Sequence, residues 1–310
     1  MSIISFFGSK ASNAFQTFIN PIIPKTGVKT YTEPFSGSMA SFCDGDLNFE
    51  NVIYNDKNIH QTNLMYCCSK PIEFLPYIYS FRDTILHTDE TEPLKKWDFY
   101  KAVFHKYRND FLKDRNYEIG NFEKAAIYAF LHTSAHNNIV ANGGFNGYKK
   151  NDDKLKLEVL INKLVKNTYT DKLNTISKFL CKDFEELIKE YDAEDTYLYI
   201  DPPYASPTNE KNDDAKRLGY YGSKDDSIFG INSHKRLLEL LKTTKSRWSL
   251  SYYYFPLLEE MLPKDKYIWL EKEVTRTSAQ GGNNSESKTK AEKGKELLVL
   301  NYDPITGIKL

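Results

Sequence analysis

The chain's 310 residues have room for one large α/β domain, or for a core domain with a substantial insertion. Its 42 basic and 42 acidic residues cancel, which argues against a protein that mainly coats nucleic acid while leaving room for a local basic face. No apolar run reaches membrane-spanning length, the first seven residues lack a signal leader, and Cys43, Cys67, Cys68 and Cys181 show neither metal nor disulfide-framework spacing, so a cytoplasmic protein without a metal is expected.

Taken in chain order, strand-like runs are expected at residues 28–35, 51–54, 176–181, 196–200, 247–252, 267–270 and 296–302, with helical patterns between most of them. That alternation predicts an α/β fold with a largely parallel sheet. The stretch 71–150 breaks the rhythm, being rich in aromatics, Lys and Asn and poor in strand signals, and reads as an inserted, mainly helical domain. Its end, 137–150, carries Asn-Gly turn chemistry and the basic tail Lys149-Lys150, so a hairpin is expected there. The polar tract 275–295 has little to bury and reads as a mobile loop.

Chemistry-bearing residues cluster at the ends of the expected strands. Glu33-Pro34-Phe35-Ser36-Gly37 follows the first, where a glycine lets backbone approach a ligand closely. Asn55-Asp56 ends the second, and an acidic residue at that tip is placed to bind the hydroxyls of a ribose. Neither a dinucleotide glycine fingerprint nor a phosphate-binding loop is present. His132 and His136 have helical i,i+4 spacing, but Thr133 stands where a zinc protease needs glutamate, so the pair reads as structural.

The most informative residues are Asp201-Pro202-Pro203-Tyr204, directly after the apolar run Thr196-Tyr197-Leu198-Tyr199-Ile200. The prolines stiffen the backbone, leaving the Asp201 carboxylate and a neighbouring carbonyl as preorganised acceptors for the two hydrogens of one amino group. A tyrosine ring beside them suits stacking on a flat heterocycle. These are the needs of a site that methylates an exocyclic base amine, where accepting both hydrogens returns density to the nitrogen.

Phe7-Gly8-Ser9-Lys10, Glu33 to Gly37, Asn55-Asp56, Asp183-Phe184, Asp201 to Tyr204 and Glu296 to Tyr302 together resemble the ordered motifs of Dam-type DNA adenine methyltransferases, over nearly the whole chain. The resemblance implies a Rossmann-like methyltransferase with a mostly parallel mixed sheet and an inserted, mainly helical target-recognition domain. The implied boundaries are 1–70 and 151–310 for the catalytic domain and 71–150 for the insertion. It further implies S-adenosylmethionine as cofactor, double-stranded DNA as partner and a flipped adenine as target. By the same resemblance, Phe7, Lys10, Phe35, Ser36, Gly37, Asp56, Asp183, Phe184 and Asp201 would contact the cofactor, while Asp201, Pro202 and Tyr204 would hold the adenine. Lys10, Asn137, Asn138, Asn146, Lys149 and Lys150 would contact DNA. Two departures stand out: Met39 where the family places a second glycine, and a hairpin without the arginine-bearing stretch of its relatives.

Two other readings are open at this point. One is methylation of another amino group, on cytosine, RNA adenine or a glutamine side chain; the order of the motifs counts against it. The other is a DNA-binding or cofactor-sensing relative without turnover, and the intact Asp201 to Tyr204 tetrapeptide counts against that.

Overall fold

A computed structural model describes residues 3–4, 13–86, 92–141, 143–149, 154–167, 169–203, 229–276 and 292–310. The expectations placed on Phe7, Lys10, Lys150 and Tyr204 lie outside the described residues. Nine strands are named in chain order: β1 (Thr30–Glu33), β2 (Asn51–Asn55), β3 (Tyr148–Lys149), β4 (Lys154–Leu155), β5 (Lys178–Leu180), β6 (Thr196–Ile200), β7 (Arg247–Tyr252), β8 (Ile268–Arg276) and β9 (Glu292–Leu300). The helices are α1 (Asn13–Ile19), α2 (Ala40–Cys43), α3 (Ile59–Cys68), α4 (Pro71–Leu86), α5 (Pro93–Phe111), α6 (Phe122–Ser134), α7 (Leu157–Val165), α8 (Thr170–Asn174), α9 (Phe184–Tyr191), α10 (Ile231–Thr243) and α11 (Pro256–Met261). Among the described residues, no helix is long and apolar enough to cross a membrane.

All five residues of β6 are buried, which is what a central parallel strand with both faces covered requires. Side-chain alternation then divides them: Tyr197 and Tyr199 join one apolar cluster, and Leu198 and Ile200 the other. The first cluster is continuous from Tyr31, Val52 and Tyr54 of the sheet to Phe74, Phe104 and Phe130 of α4, α5 and α6. The helices of the 71–134 stretch therefore share a core with one face of the sheet. The second cluster packs Leu237 and Leu241 of α10 and Leu258 of α11 against Trp248 and Leu250 of β7.

The strands run β5-β2-β1-β6-β7-β9-β8 across a seven-stranded sheet, beside a separate β3-β4 hairpin. The first five pair in parallel, whereas β9 pairs antiparallel with both β7 and β8, giving the mostly parallel mixed sheet expected. The chain builds outward from β1 to β2 and β5, then returns to lay β6 against the other side of β1. That reversal is the switch point at which open α/β sheets form their ligand crevice, outside the carboxyl ends of the strands.

The expected strands 196–200 and 247–252 coincide with β6 and β7. The mobile loop expected over 275–295 is corrected at both ends. Thr275 pairs with Lys293 and Arg276 with Glu292, so β8 and β9 extend into the polar tract as a two-stranded ribbon. Its backbone groups satisfy each other and Lys295 pairs with Glu271 at 2.7 Å, so it forms without the apolar burial that a hydropathy pattern detects.

Candidate active site

The turn after β1 is fastened to the neighbouring strand by a closed set of hydrogen bonds. Ser36 N donates to Asn55 O at 2.8 Å, Asn55 N donates to Ser36 Oγ at 3.0 Å, and Ser36 Oγ donates back to Glu33 O at 2.9 Å. Asn55 Nδ2 reaches Pro34 O at 3.0 Å and Lys182 O at 3.1 Å, while Lys182 N donates to Asn55 Oδ1 at 2.9 Å. One buried amide thus ties the ends of β1, β2 and β5 together. Motif reading gave Asn55 no role, and its only signal was its place beside Asp56 at a strand tip.

Gly37 has φ +50°, in the left-handed region, and its N–H donates to Asp56 Oδ2 at 3.0 Å. Asp56 Oδ1 accepts from Asn58 N at 2.9 Å, and burial raises its carboxyl to about 6 against those two bonds. Each carboxylate oxygen keeps a second lone pair, so Asp56 can hold the glycine turn and still accept from a ligand. The Gly37 carbonyl is held by Tyr54 Oη at 2.8 Å and Gln61 Nε2 at 3.0 Å.

Met39 also adopts a left-handed conformation, φ 49° and ψ 36°, while its side chain is wholly buried. The backbone geometry expected of the family's second glycine is therefore kept by a methionine. Left-handed backbone costs a side-chain-bearing residue about 1–2 kcal/mol, whereas emptying a buried methionine site costs about 2–5 kcal/mol. Met39→Gly is accordingly expected to lower stability by roughly 1–3 kcal/mol in urea denaturation. A more stable variant would mean that strain, not packing, dominates at this position.

Glu33 closes β1 almost fully buried, its Oε1 accepting from Tyr31 Oη and Ser41 Oγ, each at 2.6 Å. Burial lifts its carboxyl to about 8; the two hydroxyls oppose the shift and the nearby Asp201 carboxylate adds to it. The group is therefore largely protonated near neutral pH. After β5, Asp183 caps α9 by accepting from Glu185 N at 3.1 Å, with Lys57 and Arg236 each 3.2 Å from its oxygens. Phe184 follows it, its ring 5.5 Å from Phe35 and 5.6 Å from Phe229, with the Arg236 guanidinium 5.1 Å above. Phe229 and Arg236 carry no motif of their own, since they come from just before α10 and from within it, far along the chain.

Asp201 is half-buried and Pro202 buried, directly after the last residue of β6. Because Thr32 pairs with Leu198, the chain leaves β6 beside Glu33 and its turn. The structure thus gathers Phe35, Ser36, Gly37, Asp56, Asp183, Phe184, Asp201 and Pro202 along one edge of the sheet, at the switch point.

Asn137 and Asn138 occupy a different loop, closed by an antiparallel bridge between Ala135 and Phe145, with Asn146 and Lys149 following it. His136 N donates to Gly144 O at 2.7 Å and Gly143 N to Ile139 O at 2.8 Å. A side chain at Gly143 would put its Cβ 2.4 Å from the Ile139 carbonyl. Asn137 and Asn138 sit at φ 55° and 60°, which asparagine tolerates better than most residues. Asn137, Asn146 and Lys149 are exposed and Asn138 half-buried, whereas Phe145 is buried against Trp97 and Phe104 of α5. His132 is buried in α6 and His136 exposed beyond it, so the two do not converge.

The sequence model of the D12 class N6 adenine-specific DNA methyltransferases matches residues 6–278. The chain belongs to this family. The methyltransferase is 29% identical over 225 residues to the Type II methyltransferase M.MjaIII of Methanocaldococcus jannaschii, covering 68% of this chain and 70% of the relative. It is 26% identical over 226 residues to a DNA adenine methylase of Haemophilus influenzae, covering 71% of this chain and 67% of that one. Its sheet is that of a Rossmann-like methyltransferase, and the family's reaction is transfer of a methyl group to the N6 amine of adenine in DNA.

Proposed function

We propose that the crevice at the ends of β1, β2, β5 and β6 binds S-adenosylmethionine beside an adenine flipped out of duplex DNA, with Asp201 and the Pro202 carbonyl accepting the two hydrogens of its N6 amine. The observation that carries this reading is the emergence of Asp201-Pro202 at the switch point beside the Glu33–Gly37 turn. The residues fit the cofactor. A left-handed Gly37 lets backbone approach its methionine end, Asp56 retains acceptor capacity for ribose hydroxyls, and Phe35, Phe184 and Phe229 offer aromatic surface for its adenine, with Asp183 alongside. Phe7 and Lys10 join this set by resemblance alone.

When bound, the cofactor supplies an intrinsically electrophilic methyl group, so the protein's contribution is positioning and electrostatics. Asp201 and the Pro202 carbonyl orient the amine so that its nitrogen lone pair faces the methyl, and they favour the positive charge that develops on nitrogen. Tyr204 supplies a stacking face for the flipped base. Unstacking costs a few kcal/mol, recovered by these contacts. The excess proton leaves to water after transfer.

Residues 71–150 serve as the target-recognition domain, with 1–70 and 151–310 catalytic. Asn137, Asn138 and Asn146 present amides able to read base edges, and Lys149 and Lys150 attract phosphate.

Asp56→Ala tests the cofactor site. It should raise KM for S-adenosylmethionine roughly tenfold or more, the scale of a lost hydrogen bond to a charged group, and lower kcat less, because ribose contacts are alike in ground and transition states. Calorimetry with S-adenosylhomocysteine reads the same loss directly. Unchanged affinity would move the ribose site elsewhere.

A further inference from the structure

Lys101, His105 and Arg108 recur at i, i+4 and i+7 along α5, which aligns them on one face of the helix. This row lies next to the aromatic row of Trp97, Tyr100 and Phe104 that packs against Phe145 and Tyr148, so it borders the loop that follows α6. Arg108 joins the two elements: Nη1 donates to the Gly143 carbonyl at 2.9 Å and Nη2 donates to His105 Nδ1 at 3.0 Å. Because a guanidinium only donates, His105 must accept at Nδ1, and its Nε2 is left as the N–H of the neutral ring. The carbonyl that Arg108 grips belongs to a glycine with no room for a side chain.

No carboxylate pairs with Lys101, His105 or Arg108 among the described residues. Two cations of the neighbouring helical elements are paired with carboxylates: Arg82 with Asp83 and Glu158, and Lys124 with Asp114. Arg108 is half-buried, and burial lowers its pKa. His105 is lowered by burial, then by Arg108 and by Lys101; these two are the charged groups that act on it, and the loop adds only the uncharged Gly143 carbonyl. A partly desolvated row of one sign is a complement to a polyanion.

We propose that Lys101, His105 and Arg108 form a surface for the phosphate backbone of the substrate duplex, and that Arg108 also fixes the adjoining loop against α5. The inference rests on this methyltransferase acting on duplex DNA through that loop. It gives the protein, on a helix outside the hairpin, an arginine contact of the kind its hairpin lacks. His105 offers its Nε2–H to a phosphate oxygen as a neutral donor.

Fluorescence anisotropy of the full-length enzyme with labelled duplexes of several sequences, titrated against salt, tests the proposal. Lys101→Ala and Arg108→Ala should each weaken binding to all sequences alike and lower the slope of log K against log salt by about 0.9. Lys101 is exposed, so its variant carries the test even if Arg108→Ala disturbs the loop. If the parent enzyme binds and methylates DNA while Lys101→Ala and Arg108→Ala leave the salt slope unchanged, the surface is misassigned and the DNA reading stands. If the parent binds no duplex at all, both fall.

Discussion

Asp201→Ala is expected to lower kcat about a hundredfold or more, the scale seen when one preorganised polar group aimed at a reacting centre is deleted. The carboxylate lies past the last residue of β6, so its removal costs the sheet no ladder bond. Turnover should collapse while the variant stays folded. That split separates a catalytic role from a structural one. Single-turnover methyl transfer alongside thermal unfolding reads both, and a folded variant retaining most of its rate would remove Asp201 from the mechanism.

The second large effect is on stability against pH. Glu33 is raised from 4.5 to about 8 in the folded protein, so the native state holds a proton that the unfolded chain releases. A raised carboxyl stabilises fully below its unfolded value, and the contribution is lost as pH rises through the folded one. Asp56, raised from 3.8 to about 6, acts in the same direction at lower pH. His60 and His132, lowered by burial from 6.5 to about 4, act oppositely, since their contribution is lost as pH falls below 6.5. Between pH 6.5 and 8 Glu33 therefore dominates these four. The cofactor-free enzyme should lose about 1 kcal/mol across that window, since the two histidines offset part of the Glu33 loss. Glu33→Gln keeps an oxygen for Tyr31 and Ser41 without an ionisable proton, and should flatten the loss. Urea denaturation at a series of pH values is the measurement, and parallel profiles for the two proteins would show that Glu33 is not the buried titrating group.

The parts of the fold that could be read from the sequence are those where burial writes the pattern. Thr196–Ile200 and Arg247–Tyr252 are buried on both faces, or nearly so, and their apolar runs end where the strands end. The β8–β9 ribbon was missed in part because its outer pairs, from Lys272–Glu296 to Arg276–Glu292, are polar apart from Val274–Gly294 and are held by the backbone ladder. At the site, Gly37 and Asp56 stood out because the chemistry of a glycine turn and a strand-tip carboxylate is local. Asn55 did not, since its partners Pro34 and Lys182 meet it only through the sheet order. The left-handed backbone of Met39 showed only through its place at the family's second glycine, since methionine itself disfavours that conformation. The paired asparagines at 137 and 138 did carry a signal, as the residue type that most readily follows a left-handed turn without glycine.

The most direct measurement of the central claim is transfer of a tritiated methyl group from S-adenosylmethionine to unmethylated duplex DNA, followed by digestion to nucleosides and their separation. The account predicts label in N6-methyldeoxyadenosine alone, lost with Asp201→Ala. Label in a methylated cytosine, or no transfer by the folded enzyme to DNA of any sequence, would contradict it.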